Sequence, residues 1–77
     1  MTKENVKELL EILIGTYPNF LNGRELKTVF KAWYRYLKDS NYEDAMQNLD
    51  EWIAENAYPP TIRDIKPWDP YAGLGKQ

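Results

Sequence analysis

Two adjacent prolines in the run Tyr58-Pro59-Pro60-Thr61-Ile62-Arg63-Asp64-Ile65 constrain this chain more than any other feature. Proline has no N–H to donate and pushes the residue before it away from helical geometry, so a helix that reaches this point must stop. Thr61 and Asp64 then stand at capping-box spacing, with Asp where Glu is usual, and a new helical turn is expected to start at Ile62. The stretch reads as a rigid corner with apolar anchors on both sides. Tyr58 and Ile62 are expected to pack back onto the preceding structure, with Arg63 left in solvent.

Upstream of the corner the apolar residues follow a helical period in three segments. The first is expected from about Lys3 to Gly15, with Thr2 as N-cap and Glu4 at the positive end of the dipole. Val6, Leu9, Leu10, Leu13 and Tyr17 share one face, and Ile12 and Ile14 widen the arc enough for two packing neighbours. The link from Tyr17 to Gly23 is too aromatic for a plain loop, so Tyr17 and Phe20 are expected beneath the bundle, with Asn22 or Gly23 introducing the next helix. That second helix is expected from about Arg24 to Lys38, with Leu26, Val29, Phe30, Trp33 and Leu37 inward. Asp39-Ser40-Asn41 is a turn of residues that bond their local backbone. The third helix follows, from about Tyr42 to Asn56, burying Ala45, Met46, Leu49, Trp52 and Ile53 along with Tyr42.

Short connections between amphipathic helices favour antiparallel neighbours. The expected architecture is all-α: a small three-helix bundle, then a short capped turn after the Pro-Pro corner. Residues 1–65 form the helical domain; residues 66–77, broken by Pro67, Pro70, Gly73 and Gly75, form a flexible tail.

A chain of 77 residues buries only roughly 60% of its unfolded surface, so each large side chain counts toward the core. Aromatics supply much of that area: 3 Trp, 6 Tyr and 2 Phe. The absence of cysteine removes disulfides and thiolate chemistry, and the absence of histidine removes the commonest general base and metal ligand. There is no glycine-rich phosphate loop of either common kind, so no cofactor is expected and the chain is read as a non-enzyme. No apolar run approaches the length of a membrane span, and the expected setting is cytoplasmic. A formal charge of -2 gives no global attraction to nucleic acid.

Charge is unevenly placed. At about 100° per residue, Arg24, Lys27, Lys31, Arg35 and Lys38 fall within an arc of roughly 80° on the second helix, nearly opposite its apolar stripe. This is either a ridge for phosphates or an acidic partner, or the solvated face of an amphipathic helix. The exposed faces of the first and third helices are mostly acidic, so the folded molecule is expected to be dipolar. Asp44, Asp50, Glu51 and Glu55 form a carboxylate face, read as solvated because nothing encloses it. Tyr34 and Tyr36 flank the apolar stripe and are expected to be half-exposed anchors beside arginine. Trp68 and Tyr71, set among prolines, either fold back over the bundle or form a linear motif for another protein.

Three blocks together resemble a known family. They are Tyr17-Pro18-Asn19-Phe20, then Trp33-Tyr34-Arg35-Tyr36-Leu37-Lys38-Asp39 running into Tyr42, then the corner from Tyr58 to Ile65. In this order they look like the phage replicative-helicase loader/inhibitor family, over about Val6 to Ile65. The resemblance implies a small helical phage protein that lacks its own ATPase. Such a protein binds a hexameric replicative helicase, restrains it, and hands it to an origin-bound initiator. It further implies that a flexible C-terminal segment makes the helicase contact; here only Lys66 to Gln77 are available for that part. Members of the family tend to have longer tails, so the chain is expected to be either a short member or a truncated one. A host-enzyme inhibitor and a small DNA-binding module are the alternative readings.

Overall fold

The first helix starts where a side chain can satisfy its free amides. Thr2 Oγ1 accepts from the Asn5 N–H at 3.1 Å, and Asn5 Oδ1 accepts from the Thr2 N–H at 3.0 Å, closing a capping box. The computed structural model describes residues 1–67, and among these it contains α1 (Lys3–Thr16), α2 (Leu26–Leu37), α3 (Tyr42–Glu55) and the single turn α4 (Ile62–Ile65), with no strand. Helix α1 runs one residue past the expected Gly15, whose backbone stays helical. Asn41, the last residue of the expected turn, is the N-cap of α3, its side chain accepting from the Asp44 N–H at 2.9 Å.

Helix α2 begins later than its charge pattern suggests. Asn22 and Gly23 both take positive φ, 47° and 81°, so the chain turns there instead of entering a helix. Arg24 then closes the turn: its Nε donates to the Leu21 carbonyl at 2.9 Å and its Nη2 to the Phe20 carbonyl at 2.6 Å. Glu25 is the N-cap, without a side-chain bond, and Leu26 is the first helical residue.

Helix α1 packs against both α2 and α3, the two neighbours its wide apolar arc requires. Helices α2 and α3 do not pack on each other. Instead α4 packs on both and closes the ring opposite α1. Val6, Leu9, Leu10 and Leu13 of α1 therefore form the centre of the core, joined by Val29, Trp33 and Leu37 of α2, Ala45 and Leu49 of α3, and Ile65 of α4. Tyr17 and Phe20 of the link are buried with them, as their aromatic character requires, and Phe20 meets Trp33 edge-on at 5.7 Å.

The corner is part of this core. Pro60 is buried, Ile65 is fully buried, and the Ile65 carbonyl accepts from Asn48 Nδ2 at 3.0 Å. The Thr61 N–H and hydroxyl both donate to Asp64 Oδ2, at 2.8 and 3.0 Å, so Asp serves the capping box in place of Glu. Ile62 is half-buried and Arg63 is exposed, as expected.

Two expected core residues are not in the core. Tyr58 is 62% exposed: its carbonyl is held by Trp52 Nε1 at 2.8 Å and its ring touches Trp52 edge-on at 5.6 Å, while the outer face stays in water. The indole covers the corner, and a tyrosine keeps its hydroxyl hydrated by staying outside. Leu26 is 46% exposed, because it lies in the first turn of α2, where among the described residues α1 alone lines the other side. Tyr42, Phe30, Met46, Trp52 and Ile53 are half-buried, a consequence of a layer too thin to enclose every large side chain.

Candidate partner-binding surface

Helix α2 has three basic residues between Leu26 and Leu37 and no acidic one, whereas α3 has five acidic residues between Tyr42 and Glu55 and no basic one. Because the two helices flank α1 without packing on each other, the folded protein keeps these charges on separate sides. All eight of these charged side chains are exposed. Lys27, Lys31 and Arg35 follow one another at four-residue spacing and form a continuous row, which Lys38 extends at the C-cap. Arg24 stands apart from that row. It belongs to the link, and its guanidinium lies over the Phe20 ring at 5.8 Å while bonding two carbonyls.

The two tyrosines border the row on opposite sides, as residues two apart on a helix must. Tyr36 is 53% exposed, with the Arg35 guanidinium 5.8 Å from its ring. Tyr34 is half-buried on the α1 side; it stacks on Phe30 at 6.0 Å with the rings 3° from parallel, and Lys3 Nζ sits 6.0 Å from its centroid.

Between α1 and α2 lies an open groove of about 340 Å³, lined by Lys7, Leu10 and Glu11 on one wall and Leu26, Lys27 and Phe30 on the other. Its signal in the sequence is a second four-residue series, Leu26, Phe30 and Tyr34, running beside Lys27, Lys31 and Arg35. When Leu26 is counted as core, this strip is invisible. Only the late start of α2 and its exposure bring it out.

On the α1–α3 side the Tyr42 hydroxyl donates to the Glu8 carboxylate. That hydrogen bond, with smaller contributions from desolvation and from the Glu8 charge, raises the phenol above its ordinary value of 10.0. Among the described residues no group of three or more Asp, Glu, His or Cys side chains is placed to hold a metal ion, and no helix is long and apolar enough to cross a membrane. The basic row and the groove beside it offer ionic and apolar contact.

Residues 1–66 match the family of the N-terminal domain of the phage helicase loader/inhibitor protein. The protein belongs to this family. A comparison with curated proteins gives no match. Among solved structures, a truncated variant of the helicase loader/inhibitor protein of B. subtilis phage SPP1 is 32% identical, with a TM-score of 0.74 over 84% of this chain and 97% of that one. The match to the loader/inhibitor N-terminal domain takes in all four helices, the basic row and the groove. Trp68 and Tyr71 lie beyond the matched span and outside the described residues.

Proposed function

We propose that this protein is a phage DNA-replication accessory factor that binds a hexameric replicative helicase, restrains it and assists its loading. One observation carries the reading: the family match over residues 1–66, together with the likeness to the SPP1 helicase loader/inhibitor at 32% identity. The protein acts by binding, without catalysis of its own, in the cytoplasm of the host cell, and an origin-bound initiator is its second partner. Restraint by binding has a thermodynamic requirement. The protein must bind the inactive form of the helicase more tightly than the active one, since equal affinity for both shifts nothing.

Two surfaces are proposed for the contact. One is the basic row of Lys27, Lys31, Arg35 and Lys38 with Tyr34 and Tyr36, which Arg24 does not join because its guanidinium is bonded to the link; the other is the segment holding Trp68 and Tyr71. Segregation of charge onto α2 supports the first, and the family resemblance supports the second. The test measures helicase binding and inhibition of ATP hydrolysis by three chains: the parent, a variant ending at Pro67, and a triple Lys27→Glu, Lys31→Glu, Arg35→Glu variant. Loss in one variant assigns the contact to that surface. If both variants bind like the parent, both surfaces are excluded. A parent chain with no affinity for the phage's helicase overturns the function. Binding of duplex DNA that weakens steeply with added salt, in place of helicase binding, moves the DNA-binding reading ahead.

A further inference from the structure

We infer that the groove between α1 and α2 is a docking site for an acidic amphipathic helix of a partner protein. Leu10, Leu26 and Phe30 line it with apolar surface, and Leu26 is left 46% exposed by the described residues. The Leu26–Phe30–Tyr34 strip has the spacing of one helical face, so a second helix laid along it meets an anchor at every turn. Charge identifies the occupant. Lys7 lines the α1 wall and Lys27 the α2 wall, Lys3 lies over Tyr34, and the row Lys27, Lys31, Arg35 runs alongside. A helix seated there is flanked by cations on both sides, so it must present carboxylates on both edges of its apolar stripe. A basic or neutral amphipathic helix leaves those cations facing like charge or nothing. Glu11 is the single acidic side chain among the lining residues. The end of the occupant that lies beside it therefore carries a neutral or basic residue, which orients the helix in the groove.

This inference goes beyond the helicase reading and does not rest on it, because the groove is tested with a peptide and no helicase. The probe is a synthetic helical peptide with leucines at i, i+4 and i+7 and glutamates on both flanks, titrated into the full chain and followed by NMR. The control has lysines in place of the glutamates. The acidic peptide is expected to shift the methyl and ring signals of Leu10, Leu26 and Phe30 and to bind more weakly as salt is added. Leu26→Asp should weaken it about tenfold or more, the equivalent of one lost anchor. That change leaves the fold intact, since an acid in the first turn suits the helix dipole. Glu11→Lys should strengthen binding several-fold, roughly the effect of replacing a like charge by an opposite one at a partly exposed site. Equal binding of the lysine peptide, shifts centred on Tyr36 and Lys38, or no response to Glu11→Lys would each overturn the proposal. So would groove shifts produced by a duplex DNA fragment alone, or by raising the protein concentration without peptide, which would give the groove to nucleic acid or to a second copy.

Discussion

The hydroxyl of Tyr17 donates to the backbone carbonyl of Asn56 at 2.9 Å, joining the C-cap of α1 to the C-cap of α3 across 39 residues of sequence. The ring is buried at 5% exposure, so one side chain fills the core and also satisfies a partly buried carbonyl where the chain turns toward Pro59. Tyr17→Phe keeps the packing and deletes the bond. It should cost about 0.5–1.5 kcal/mol. For a domain of this size that lowers Tm by about 4–8 °C per kcal/mol. An unchanged Tm would mean that water replaces the hydroxyl at no cost.

Ile65 tests whether α4 belongs to the core. It is fully buried although it lies in a four-residue helix near the end of the described chain. Ile65→Ala should destabilise by about 2–5 kcal/mol, whereas the neighbouring exposed Arg63→Ala should stay within about 0.5 kcal/mol of the parent. Urea denaturation of both variants separates the two effects; equal midpoints would make α4 an ornament.

Trp33 packs edge-on to Phe20 from the centre of α2 and is 4% exposed. Trp33→Ala should cost about 3–5 kcal/mol. Because total stability is only about 5–15 kcal/mol for a typical domain, the variant is expected to be largely unfolded or close to it. Retention of the parent's cooperative thermal transition would remove this ring from the centre of the core.

Asp64 accepts from both the amide and the hydroxyl of Thr61. Asp64→Ala should cost about 0.5–2 kcal/mol, the usual range for a lost cap. The loss should be local, read as faster hydrogen exchange at the Lys66 amide, which donates to the Ile62 carbonyl. Exchange at that amide unchanged from the parent would show that packing alone holds the turn.

Tyr42 makes stability depend on alkaline pH. Its hydrogen bond to Glu8, with desolvation and the Glu8 charge adding to it, raises the phenol of the folded protein above 10.0, so the folded form keeps a proton that the unfolded form gives up. Above that value the unfolded state binds fewer protons than the native state, and stability falls as pH rises. Tyr42→Phe should flatten this fall relative to the parent. Parallel pH profiles for the two proteins would contradict it.

Much of the fold was legible in the residues alone. Helical periodicity identified the faces of α1, α2 and α3, the side-chain chemistry of Thr2, Thr61 and Asp64 marked where α1 and α4 begin, and the Asp39-Ser40-Asn41 turn preceded α3. These features depend on neighbours at most four residues away, which is why reading along the chain finds them. The basic row of α2 was legible for the same reason, since a helix turns spacing directly into direction.

The tertiary structure alone decided how the helices close on one another. That α2 and α3 stay apart, that α4 bridges them, and that Ile65 is buried while Leu26 and Tyr58 are not, all depend on which faces meet. Leu26 and Leu37 look equivalent on the stripe of α2, yet Leu37 is fully buried and Leu26 is 46% exposed. Burial is a property of what approaches from elsewhere in the chain, and at Leu26, among the described residues, one wall of α1 arrives. The open groove is the gap that results. A periodic pattern shows which face of a helix is apolar, but only the packing of the other helices determines how much of that face they cover.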